Sequence, residues 1–139
     1  MLLALSVHGC CPPAAQSVST GPVGVSIWID LDAKQLTVYR DGAASARFPI
    51  ASVASGTPSP IGVFRIASRF STVMSGFGTR FLGLNVPWGQ YGIHGTNKPS
   101  SIGQNASHGC IRMQVKDAEK LYRMIQNGTK VVIEGSPYG

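Results

Sequence analysis

Gly92-Ile93-His94-Gly95-Thr96, and then Ser107-His108-Gly109-Cys110-Ile111-Arg112, are the two quotations on which the reading of this 139-residue chain turns. Two of its three histidines and one of its three cysteines fall within the 17 positions from His94 to Cys110. The residues between are mostly Gly, Ser and Asn, the composition of loops that display catalytic groups on a rigid scaffold. A cysteine attacks as thiolate, and a free thiol with a pKa of about 8.5 is only a few per cent ionised at neutral pH. A nearby histidine can take its proton or stabilise the thiolate as an ion pair. Full ionisation raises the active fraction about thirtyfold, roughly 2 kcal/mol, so positioning and an oxyanion hole must supply most of any acyl-transfer acceleration. Gly109 lets the backbone N–H groups around Cys110 turn toward a developing oxyanion. Arg112 adds positive charge there, or holds a substrate carboxylate.

Charge narrows the chemistry. The net charge is +6, and no carboxylate occurs between Asp41 and Asp117. That span carries Arg47, Arg65, Arg69, Arg80, Lys98, Arg112 and Lys116. Glycoside cleavage by a carboxylate pair finds no partner near the histidines, and a metallohydrolase finds no glutamate base there. A zinc site of His94, His108 and Cys110 lacks the CxxC or HxxxH spacing that such sites show, and no metal is expected there. The basic surface suits an anionic polymer. The bases are scattered, without the dense run or aromatic platform of a nucleic-acid binder, and no nucleic acid is expected.

Working outward, the chain reads as short strands. Val25-Ser26-Ile27-Trp28-Ile29 and Gln35-Leu36-Thr37-Val38-Tyr39 alternate apolar and polar residues, and Asp41-Gly42 is a hairpin turn signal. Further strands are expected over Ala46 to Val53, Val63 to Ala67, Phe81 to Leu84, Tyr91 to His94 and Thr129 to Glu134. One helix stands out, with Val115, Ala118, Leu121, Tyr122 and Ile125 on a single face. Asp117 suits its first turn and Gly128 its end. The expected fold is mainly β, with one amphipathic helix near the C-terminus packed on it.

Residues 1–24 read differently. Met1 to Val7 is apolar but too short to span a bilayer, which takes about 20 residues. It resembles the tail of a secretory signal. Val7-x-Gly9-Cys10 resembles a lipoprotein processing site, which makes Cys10 a candidate for a lipid anchor. Pro12 to Pro22 reads as a linker, with a single domain over residues 25–139. His8-Gly9-Cys10 mimics His108-Gly109-Cys110, but nothing around it suggests a domain. An extracytoplasmic location, in periplasm or cell wall, is expected. No signal for self-association is seen, and a monomer is expected.

Ile93-His94-Gly95-Thr96 followed by Ser107-His108-Gly109-Cys110-Ile111-Arg112-Met113 resembles the signature of the L,D-transpeptidase catalytic domain (YkuD-type). Thr57-Pro58-Ser59-Pro60-Ile61-Gly62-Val63-Phe64 resembles that family's TP-x-G-x-F segment. The stretches Trp28 to Gly42, Asp117 to Tyr122 and Gly128 to Ile133 are similar to its first hairpin, closing helix and last strand. The resemblance implies a β-sandwich-like fold and acyl transfer on peptidoglycan stem peptides, as donor and acceptor. Cys110 would be the nucleophile and form a thioester, releasing D-alanine. His94 would be the general base, with the Gly95 carbonyl orienting it and His108 and Gly109 on the oxyanion side. Ser107, Arg112 and Thr96 would support the loop or substrate. An amine acceptor would give a crosslink between diamino acids, and water a carboxypeptidase. Carbapenems would acylate Cys110, and the resemblance implies no metal or organic cofactor. The rivals are a wall-binding protein without turnover and a cysteine hydrolase of other peptides.

Overall fold

The first hairpin shows how alternation becomes structure. In β1 (Val25–Asp30) the residues Val25, Ile27 and Ile29 point into the core, while Trp28 faces solvent. β2 (Gln35–Arg40) runs antiparallel to it, in the register Ile27↔Val38 and Ile29↔Leu36, so both strands send apolar side chains inward. Asp30 Oδ1 accepts the N–H groups of Asp32 and Ala33, each at 3.0 Å, and shapes the connecting turn. The next turn is Asp41-Gly42, where both residues have positive φ, +53° and +84°. That is the geometry whose twist matches a two-residue hairpin, and Arg40 pairs directly with Ala43 of β3 (Ala43–Val53).

The computed structural model describes residues 24–53, 59–71, 80–96, 99–103, 105–107 and 110–136. β4 (Gly62–Phe70), β5 (Phe81–Leu84), β6 (Tyr91–Thr96), β7 (Asn105–Ser107), β8 (Ile111–Gln114), α1 (Val115–Met124) and β9 (Lys130–Glu134) complete the elements used here. The expected leader and linker, Cys10 included, and the Thr57-Pro58 dipeptide lie outside the described residues.

The strands follow the order β2-β1-β9-β4-β5-β6-β8-β3, and β3 pairs back onto β2, so eight strands close a ring with β7 attached to β3. The expectation of a mainly β, sandwich-like domain with one C-terminal helix holds, since the walls of such a ring face each other across a shared core. Ile27, Leu36, Ile50, Ile66, Leu82, Ile93, Met113 and Ile133 fill that core. Three pairings are parallel: β1–β9, β6–β8 and β3–β7. Helix α1 packs Ala118 and Leu121 into the core cluster beside β6. Among the described residues no helix is long and apolar enough to cross a membrane.

Three local expectations are corrected. Ile111–Gln114 is a strand rather than loop, and Asn105–Ser107 is a short one. The third strand begins at Ala43 rather than Ala46, because the tight turn lets pairing start at once. The helix stops at Met124, since Ile125 is extended (φ −127°, ψ 166°) while still burying its side chain. Gly128 is therefore not the helix end. It sits at φ +92° in the turn before β9, and its N–H donates to the Ile66 carbonyl at 2.7 Å.

Candidate active site

β6 and β8 build the site because they are hydrogen-bonded neighbours in parallel. Their register pairs Ile93 with Ile111 and His94 with Arg112. Cys110 immediately precedes β8, and the Gly92 backbone hydrogen-bonds its thiol. Side chains on a strand alternate faces. Ile93, Ile111 and Met113 therefore turn into the core, while His94 and Arg112, paired across the ladder, share the other face. The contact with Gly92 sets Cys110 against β6 two residues before His94, and the Arg112 charge acts on both groups.

His94 is held from several sides. It is 3% exposed. Its Nδ1 lies 2.7 Å from the Gly95 carbonyl oxygen. A carbonyl only accepts, so Nδ1 carries the hydrogen and the basic lone pair of the neutral ring is on Nε2. The ring of Phe81, directly across the β5–β6 ladder, lies nearly parallel to the imidazole, at 13° with centroids 6.0 Å apart. Gly92 makes that placement possible: a Cβ there would come within 2.4 Å of the Phe81 ring and 2.9 Å of the Leu82 carbonyl oxygen. Gly95 is tied down as well. Its N–H donates to the Arg80 carbonyl at 3.3 Å, and a Cβ on it would lie 3.2 Å from the Val115 Cα of helix α1.

Burial sets the electrostatics. It pushes the His94 pKa down, against the hydrogen bond to Gly95, and the Arg112 charge pushes the same way as burial. It pushes the Cys110 thiol up, with the Gly92 hydrogen bond and Arg112 pulling part of the way back. Both directions favour a neutral imidazole beside a protonated thiol over an ion pair. Such a pair can pass a proton at the moment of attack, but it does not hold a standing thiolate.

The other expected site residues divide. Arg112 is half-buried on the site face, and its charge reaches both His94 and Cys110. Thr96 is 3% exposed at the end of β6 opposite Gln114, which leaves it little surface for a substrate. Ser107 ends β7, whose backbone pairs with Val53. His108 and Gly109 lie outside the described residues. Sequence reasoning missed Phe81 and the Gly92 backbone. Gly92 stood inside the quoted signature, but the value of Phe81 depends on a strand register that the sequence does not display.

The sequence model of the L,D-transpeptidase catalytic domain matches residues 24–133. The YkuD protein of Bacillus subtilis (strain 168) is 40% identical over 107 residues, covering 77% of this chain and 64% of that protein. Its counterpart from Bacillus licheniformis is 36% identical over 121 residues, covering 87% of this chain and 71% of that protein. Among solved structures, an L,D-transpeptidase from Mycobacterium smegmatis superposes with a TM-score of 0.69 at 25% identity, over 81% of this chain and 59% of that one. The chain thus spans about three-fifths of the length of the first of these proteins and of the solved structure. A match over nearly the whole strand ring, joined to a histidine on β6 and a cysteine at the entry to its parallel neighbour β8, places this chain in the L,D-transpeptidase catalytic domain (YkuD) family.

Proposed function

We propose that the chain is a cysteine acyltransferase acting on peptidoglycan stem peptides from an extracytoplasmic location. The observation that carries this reading is the Cys110 thiol held at the Gly92 backbone, two residues before His94 on β6, whose Nδ1–H is committed to the Gly95 carbonyl.

As Cys110 Sγ attacks the carbonyl between the diamino acid and the terminal D-alanine, Nε2 of His94 takes the thiol proton and a C–S bond forms. Backbone N–H groups at Gly109 and Cys110 stabilise the oxyanion. Collapse breaks the C–N bond, and His94 returns the proton to the departing D-alanine amine. The thioester is then attacked by an amine of a second stem. His94 accepts that amine's proton, the new amide forms, and the C–S bond breaks to regenerate the thiol. Water in the amine's place gives carboxypeptidase activity. Arg112 stabilises negative charge as it develops, Phe81 holds the imidazole plane, His108 belongs with Gly109 to the oxyanion side, Ser107 supports the loop or substrate, and Thr96, buried at the end of β6, supports the strand from behind. Every proton is accounted for by His94 alone, so the chemistry asks for no metal or organic cofactor. The chain works as a monomer, and Cys10 is the point at which a lipid would anchor it.

The test is intact-protein mass spectrometry after incubation with a carbapenem, comparing the native chain with Cys110→Ala. A single adduct that the variant lacks supports the reading. No adduct on folded native protein overturns it in favour of a wall binder without turnover. With stem-peptide substrate, a new crosslink between diamino acids separates transfer from hydrolysis.

A further inference from the structure

A second surface lies on the side of the ring away from the site. β1 and β6 are four strands apart in either direction around the eight-strand closure, so the outer face of β1 is opposite the strand that carries His94. On that outer face Trp28 is 37% exposed and meets Tyr39 edge-on, with rings at 78° and centroids 6.0 Å apart. The indole N–H donates to Ser26 Oγ at 3.2 Å, which fixes the ring. Together with Gly42 these residues line an open hollow of about 350 Å3, at the small end of ligand clefts. The ladders carry cations to its borders. Lys130 pairs with Ser26 in the Tyr39 row, and Arg47 pairs with Thr37 in the Trp28 row. Two carboxylates also border it: Asp30 on β1, engaged by the turn N–H groups, and the exposed Asp41 next to Gly42 in the β2–β3 turn.

Two aromatic rings at right angles, a hydroxyl and flanking cations together fit a saccharide. The C–H face of a pyranose stacks on one ring, its edge meets the other, and its hydroxyls and acidic substituents meet Ser26 and the cations. Tyr and Trp suit such half-wet contacts because each joins an apolar body to a polar tip. We propose that the outer face of β1 and β2 is a platform for the glycan strand of the wall polymer, resting on the stem-peptide reading of the opposite face. A strand held there leaves Cys110 open and raises the local concentration of stems.

The structure of the chain supplies its own control, because only one other tryptophan, Trp88, is present. Wall glycan freed from its stem peptides, and a tetramer of N-acetylglucosamine, are titrated into the native protein while the two indole N–H signals are followed by NMR. A saturable shift of the Trp28 signal with Trp88 unmoved is expected; no shift, or a shift of Trp88 alone, overturns the platform. Turnover supplies the second arm. Trp28→Ala is expected to lose about tenfold on intact wall polymer and less than about twofold on a soluble stem peptide. Equal losses on both substrates overturn the proposal in favour of a structural role for Trp28. If native protein turns over no stem peptide, the transferase reading fails, and the indole titration still decides the saccharide site.

Discussion

At the scale of single residues, the site runs on two shifted groups and one fixed charge. The His94 pKa is lowered by burial, so the acid limb of Cys110 acylation should lie below the ordinary imidazole range of about 6.5. Arg112→Gln removes a charge that lowers both groups. The acid limb should then move up toward the ordinary value, while the thiol becomes harder to ionise. The measurement is the rate of carbapenem adduct formation against pH, and an unmoved limb would show that Arg112 does not act on His94. The same shift affects stability. The unfolded chain takes up the His94 proton first as pH falls, so stability drops between the ordinary imidazole range and the lowered folded value, and none of this loss occurs above that range. His94→Gln should flatten that acid-side loss in urea titrations at pH 7.5 and 5.5. His94, Cys110 and Arg112 stood out in the sequence as candidates because their spacing is itself a signature. Phe81 was not, because one aromatic in a run of alternating residues looks like any other until the ladder sets it against His94.

At the scale of elements, β6 is held between β5, β8 and helix α1, and its glycines are what let these come close. Gly92→Ala places a methyl against the Phe81 ring and the Leu82 carbonyl oxygen, and backbone cannot swing aside as a side chain can. A loss of about 1–3 kcal/mol is expected. Adduct formation should fall further than stability does, read by comparing denaturant midpoints with acylation rates. Leu121→Ala, fully buried where α1 meets the sheet, should cost about 2–5 kcal/mol. The hairpin β1–β2 and the helix were readable because each is a local pattern with its own turn or stripe. β8 was hidden. Its four residues alternate correctly, but a strand that short is recognised by its partners, and neither of them, the parallel β6 nor the antiparallel β3, is joined to it by a hairpin. Gly128 misled for a related reason: a glycine after a helical stripe fits a helix end and a strand-leading turn equally well.

At the scale of the molecule, the first and last strands of the described fold are neighbours, since β1 pairs with β9 while β9 also pairs with β4. Closing the ring through the chain's two ends ties every strand to one cooperative unit. Ile133→Ala in β9, on the far side from Cys110, should cost about 2–5 kcal/mol. Loss of acylation on heating should then follow loss of β-sheet circular dichroism at the same midpoint; a separate, earlier loss would mark the site as an independent unit. Closure was not legible in the sequence, because alternation tells each strand which face to bury and not which strand to adopt as neighbour.

The parallel pairing of β6 with β8 has a consequence for how such a protein can diversify. Two parallel neighbours cannot be joined by a tight hairpin, and the chain must travel back along the strand before entering the second one. The segment between Thr96 and Ile111 is therefore an obligatory return path, and Cys110, its last residue, is set relative to His94 by where that path enters the β6–β8 ladder rather than by the length travelled. The part of that path before Ser107 can change in length and composition while His94 and Arg112 keep their register across the ladder. On the acyltransferase reading proposed above, substrate preference can in this way be rewritten in one segment without the chemistry being reinvented.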